Sequence, residues 1–279
     1  MILTRSEWSA RAEAHRERAD ALTAGHRARA ARREAHPVWD FLFTYYSYKP
    51  AQLRRWHPGA GVALADAEER RAWRWYSPVG SAVAPDAEAF AADKPELAAL
   101  VERMLRRTAS RPGQFGCFGL HEWAMVYRQD EHRHPVPLRL GQEGTDRVVE
   151  THDLRCTHFD AFRFFTPDAV PRNRTALTRE SQPLFEQPGC LHAGMDLYKW
   201  AMKLGPLVPG ELLLDAFELA RDIRLLDMQA APYDLSEWDV APVPIETPEG
   251  KAEYVQRQRA FAERGAALRA ALLDVWLGG

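Results

Sequence analysis

Cysteine is scarce: the chain has three in 279 residues, too few and odd in number for a disulfide framework. Cys117, Cys156 and Cys190 are therefore expected to be free thiols in a reducing compartment, and the protein is expected to be cytoplasmic. Long hydrophobic runs are missing. No stretch approaches the about eighteen apolar residues of a membrane span, and the opening MILTRSEWSARAEAHRERAD has no apolar core of a secretion signal, so no membrane partner is expected. Lysine is also rare, only five of the 37 basic residues, the rest being arginine. No GxGxxG follows a strand pattern, and GxxxxGKS/T and GxSxG do not occur, which removes the usual signatures of nucleotide cofactors and serine hydrolases. The tight CxxC and HExxH spacings of strong metal motifs are absent too.

What remains is an ordinary globular composition: 46% hydrophobic, 27% charged and a net charge of -2, which excludes a disordered or fibrous chain. Charge is uneven. Residues 1–60 hold eleven Lys/Arg against six acids, a basic arm that permits a polyanionic partner without requiring one. The expected organisation is a basic helical arm over 1–36 and a single helix-rich body over 37–279.

Ala/Arg/Glu-rich residues 5–34 read as a long solvated helix, or two, docked by a narrow stripe. Val38, Phe41, Leu42, Tyr45 and Tyr46 follow helical spacing up to Pro50, and 53–61 (LRRWHPGAG) is rich in turn residues. Helices are expected over 86–110, within 115–128, and over 190–204, 210–230 and 249–276. Between 131 and 165, PVPLRL and LRCTHFDAFRFF read as strands around a short helix at 145–153, and 166–188 as a long polar loop. The fold class is α+β, predominantly helical, with a small sheet around 135–165.

Three segments each bring a thiol, an imidazole and a carboxylate: Cys117 with His121 and Glu122; Cys156 with His158 and Asp160; Cys190 with His192 and Asp196. On a strand over 154–165, Cys156, His158 and Asp160 would share a face. On a helix over 190–204, His192, Asp196 and Lys199 would share a stripe. Such a set can line a polar pocket or hold Zn or Fe; equally, a buried thiol can be a small hydrophobe and each imidazole a satisfied core group. Glu122, Asp160 and Asp196 stand in apolar company, where a carboxylate either pairs with a cation or is tuned for proton transfer. Arg163 follows Asp160 by three residues and Lys199 follows Asp196 by three, and Arg221, Asp222, Arg224 and Asp227 in ELARDIRLLDMQ raise the same choice. Aromatics cluster at Phe41–Trp56 and again at Trp73, Trp75 and Tyr76, near Arg54, Arg55, Arg71 and Arg74. Rings beside guanidiniums can stack a base and hold a phosphate. Trp56, in a Trp-His-Pro-Gly turn, is expected to expose its ring.

The segments HPVWDFLFTYYSYKPAQLRRWHPG and LTRESQPLFEQPGCLHAGMDLYKWAMKLGPLVPGELLLDAFELARDIRLLDMQAAPYDL resemble a bacterial family catalogued as 3-methyladenine DNA glycosylase, and the similarity runs nearly end to end. The resemblance implies hydrolysis of an N-glycosidic bond to a modified or alkylated purine, in DNA or in a free nucleoside. It brings no catalytic residues with it, so roles are assigned from the residues themselves. Asp196, then Asp160, then Asp227 would orient water; Glu122 or His158 would assist the leaving group. Tyr45, Tyr46 and Trp56 would stack the base, with Arg163 and Lys199 as further contacts. Val208-Pro209-Gly210 with Asp227 seventeen residues on is similar to a glycosylase hairpin, but Leu212 stands where a second glycine would approach a phosphate. A net charge of -2 suits a small nucleoside better than duplex DNA. This reading needs no cofactor. An alternative is a metal-dependent hydrolase or oxygenase, with one divalent Zn or Fe on His121, His158 and His192 and with Glu122, Asp160 and Asp196 alongside. A second alternative is a non-enzymatic interaction protein docking through the basic arm.

Overall fold

Thr4 starts the first helix with a capping box: its hydroxyl accepts from the Glu7 N–H while the Glu7 carboxylate accepts from the Thr4 N–H. The computed structural model describes residues 1–129 and 136–277. They form two compact units: 1–106 with 195–221 and the chain from 265 onward, and the described parts of 107–194 with 222–264.

The first unit contains β1 (Ile2–Leu3), α1 (Arg5–Arg32), α2 (Phe41–Tyr45), α3 (Pro50–Leu53), β2 (Ala63–Leu64), β3 (Tyr76–Val79), β4 (Ala82–Pro85), α4 (Ala87–Asp93) and most of α5 (Pro95–Ala109). Helix α1 is polar over most of its surface and docks by a narrow buried stripe of Trp8, His15, Ala19 and Thr23. The Trp8 indole donates to the Ala65 carbonyl at 2.9 Å, and His15 Nε2 lies 2.8 Å from the Leu53 carbonyl. Its arginines are paired within this unit: Arg11 with Glu211, Arg18 with Asp215 and Glu218, Arg29 with Asp40.

The protein is helical α+β with a four-stranded sheet in the order β1-β2-β4-β3; β1 and β2 are parallel, with Ile2 opposite Ala63, and the other pairs antiparallel. Gly80 at φ +61° turns the β3–β4 hairpin. The sheet therefore lies at residues 2–3, 63–64, 76–79 and 82–85, not around 135–165 as expected. In that stretch Leu138 and Leu154 make only single bridges, to Tyr233 and Asn173, and Pro135 lies outside the described residues. The alternation in LRCTHFDAFRFF does not become a strand because a side chain takes the place of a partner strand. Asn173 Oδ1 accepts from the Cys156 N–H at 2.8 Å and its Nδ2 donates to the Cys156 carbonyl at 3.0 Å. The chain then turns helical, burying Phe162 and Phe165.

The second unit holds α6 (Leu120–Ala124), α7 (Gly141–Thr151), α8 (Phe159–Phe162) and α9 (Gln182–Phe185). Helices α10 (Leu191–Leu204), α11 (Gly210–Gln229) and α12 (Pro248–Leu277) each contribute residues to both units. Trp123, Tyr127, Leu154, Leu226 and Tyr254 are among its fully buried side chains, and the Trp123 indole donates to the Ala230 carbonyl at 2.8 Å. Among the described residues no helix is long and apolar enough to cross a membrane.

Candidate metal centre

Helix α6 is entered through two consecutive left-handed residues, Phe118 (φ +50°) and Gly119 (φ +71°). A side chain on Gly119 would press on Ala230 and Tyr254, so the turn sits hard against the unit's core and carries His121 and Glu122 inward. Arg224 and Asp227, three apart on α11, face them, and His192 comes from the first turn of α10. All five side chains are buried, His192 the most accessible at 8% and Asp227 fully enclosed at 0%.

His121 Nε2 lies 2.9 Å from Asp227 Oδ1 and 4.0 Å from Glu122 Oε1. The contact with Asp227 is close, but its alignment is not that of a hydrogen bond, and neither Nε2 nor Oδ1 has another hydrogen-bond partner. The other carboxylate oxygen, Oδ2, accepts from Arg224 Nη1 at 2.8 Å, and the same nitrogen donates to Glu122 Oε1 at 3.2 Å. Cys117 Sγ stands 3.8 Å from His121 Nδ1. The His192 ring packs edge-on to His121 at 4.6 Å between centroids and stacks on His158 at 5.2 Å. One donor atom each from His121, His192 and Asp227 lies within 4.8 Å of the other two.

Burial by itself would push the His121 imidazole down, yet the Asp227 carboxylate, with Cys117 beside the ring, holds it well above the usual histidine range. Burial would likewise raise Asp227, but His121 above all, with His192 and Arg224, keeps it far below the ordinary carboxylate range. Burial pushes the Cys156 and Cys190 thiols up, so both are protonated at neutral pH. His158 is 1% exposed and its Nε2 lies 3.2 Å from Glu186 Oε1; Gln182 donates to that same oxygen from one turn earlier.

The structure thus gathers His121, Glu122 and Asp227 with His192 and, through ring stacking, His158. It places the other expected residues elsewhere. Asp160, at the start of α8, pairs with Arg163 at 3.4 Å and Arg179 at 3.1 Å. In the first unit Asp196 is buried, accepts from the Tyr46 hydroxyl at 2.8 Å and pairs with Lys199, while Tyr45 packs against Tyr46. Trp56 is not the exposed ring expected from its turn: it is 2% exposed, in a cluster with Leu3, Trp8, Leu64 and Ala67. The Val208-Pro209-Gly210 turn explains why. A Cβ on Gly210 would sit 2.5 Å from Trp56 Cδ1 and 2.7 Å from His15 Nδ1, so this glycine makes room for the indole. The Gly210 amide is itself engaged, donating to the His57 carbonyl at 2.9 Å.

Glu186 escaped the sequence reading because it lies in a polar loop with no periodicity; only the Gln182–Glu186 spacing, one helical turn, hinted at an ordered pair. No family model, curated protein or solved structure matches this chain.

Proposed function

We propose that the second unit is the site of a metal-dependent enzyme, a hydrolase or oxygenase, whose divalent ion is held by His121, His192 and Asp227. One observation carries this reading: a buried imidazole nitrogen and carboxylate oxygen 2.9 Å apart without an aligned hydrogen bond between them. Neighbouring ligands at right angles on an ion with bonds of about 2.1 Å stand about 3.0 Å apart. Two histidines with one carboxylate are a recurrent set for Fe(II) and Zn, leaving positions for water and substrate. Arg224 occupies Asp227 Oδ2 and so turns Oδ1 toward the imidazole, the outer support that such ligands need. Glu122, within 4.0 Å of the same Nε2, is the carboxylate placed to take a proton beside the ion. The bound ion would supply Lewis acidity and an acidified water.

Elemental analysis of the untagged protein tests this. About one equivalent of Zn, Fe or Mn per chain is expected, with loss in both His192→Ala and Asp227→Asn. A folded, metal-free protein that takes up no divalent ion on dialysis overturns it. N-glycosidic hydrolysis of a modified purine, in a nucleoside or in DNA, is the second reading. It is favoured by the buried Asp196, fixed by Tyr46 and Lys199. On that reading, base release is lost in Asp196→Asn and survives chelation.

A further inference from the structure

The first unit holds a cleft of about 540 Å³ whose wall includes Gln52, Arg55, His57, Trp73, Arg74 and Trp75, and no acidic residue lines it. Its size lies in the range of small-molecule sites. Its charge is not cancelled locally. Among the described residues no carboxylate lies within ion-pair distance of Arg55, which is exposed and held only by its guanidinium packing over the Trp73 ring at 5.3 Å. Behind that ring Arg70, 7% exposed, also has no carboxylate partner among the described residues; its guanidinium stands 3.9 Å from the Trp73 centroid and donates to the Trp56 carbonyl. Arg74 differs, since it pairs with Asp93.

The aromatic wall is rigid. Trp75 takes a left-handed backbone (φ +60°), which a bulky side chain rarely adopts and which recurs where ligands are clamped. Its indole N–H donates to Asp93 Oδ2 at 2.9 Å, and its ring meets Phe90 edge-on at 4.9 Å. His57 is also fixed. Its Nδ1 lies 2.9 Å from the Tyr76 hydroxyl, a phenol that burial holds protonated. Burial, reinforced by Arg70 and Arg55, keeps this imidazole neutral, with its pKa lowered to about 3.

Half-buried indoles, an uncompensated guanidinium, a neutral imidazole and no carboxylate in the wall suit one kind of ligand, a planar ring carrying an anion. We propose that this cleft binds a nucleoside monophosphate, its base against the Trp75 indole and its phosphate on Arg55.

Calorimetric titration of the full chain with adenosine, guanosine, cytidine and uridine monophosphates, with adenosine and inorganic phosphate as controls, tests it. At least one monophosphate is expected to saturate one site with Kd below 1 mM, at least tenfold more tightly than either control. Arg55→Ala should weaken it at least tenfold and Trp75→Leu at least fivefold. Arg54→Ala, which removes an exposed neighbour paired with Asp20, should leave it unchanged. The proposal is overturned if no monophosphate saturates, if phosphate alone binds as tightly, or if Arg55→Ala, exposed and so without consequence for folding, binds as the parent does. A single-stranded oligonucleotide binding more tightly than every mononucleotide overturns it as well.

Discussion

The two units handle charge in opposite ways. In the first, α1 spreads its arginines over the surface, each beside a carboxylate and mostly a third or more exposed. Pairs of this kind stabilise little, because water solvates both partners nearly as well. In the second, His121, Glu122, Arg224 and Asp227 are all buried. Desolvating four ionisable groups is costly, and a hydrophobic cluster of equal volume would fold at least as well. The two units also push imidazoles in opposite directions: His57 is depressed to about 3 by burial, reinforced by Arg70 and Arg55, while His121, against Asp227, is raised in spite of burial. The lesson is that burial keeps a histidine neutral unless a carboxylate against the ring outweighs it, and that the buried cluster is the feature stability does not account for.

The largest effect is expected where the buried balance is broken. Asp227→Ala leaves His121 and Arg224 enclosed without their carboxylate, and should cost about 3–5 kcal/mol, lowering Tm by about 10 °C. A melt within 2 °C of the parent would mean that the cluster is wetter or looser than described. An intermediate effect is expected from pH in the first unit. His57 has a folded-state pKa of about 3 against an unfolded value near 6.5, so below pH 6.5 the unfolded chain binds the extra proton. Stability is therefore lost as pH falls from 6.5 toward 3, by about 1.4 kcal/mol per unit for this one group. Urea unfolding between pH 7 and 4.5 should show a shallower loss in His57→Gln than in the parent; parallel curves would place His57 in water. The smallest effect is expected at the surface: Arg18→Ala, despite contacts of 2.7 Å to both Asp215 and Glu218, should cost under about 1 kcal/mol. A loss approaching that of Asp227→Ala would erase the contrast between the units.

Much of the helical framework was legible in the sequence. Long periodic or sharply bounded segments, 5–34, 190–204, 210–230 and 249–276, match α1, α10, α11 and α12 within two residues, because a helix of three or more turns repeats its signal. The strands were not legible. At two to four residues each they are too short for an alternation to register, and Pro78 and Pro85 argue against β structure on local grounds. Trp56 was misread for the opposite reason. Its turn is real, but whether a turn faces water depends on Gly210, more than 150 residues away in the chain. The candidate centre was legible as parts only. His121, His158 and His192 each stood out beside a thiol and an acid, but no spacing in the chain could show that Asp227 would join the first and third, or that Asp160 would turn to Arg163 and Arg179.

The most direct test of the central claim is an anomalous difference map from crystals of metal-loaded protein, recorded at the absorption edge of the metal that elemental analysis identifies. The account predicts a single strong peak at bonding distance, about 2.0–2.2 Å, from His121 Nε2 and Asp227 Oδ1, with His192 completing the set. A map with no peak there and the His121–Asp227 contact unchanged would contradict it, leaving the cluster as a buried ion-pair network.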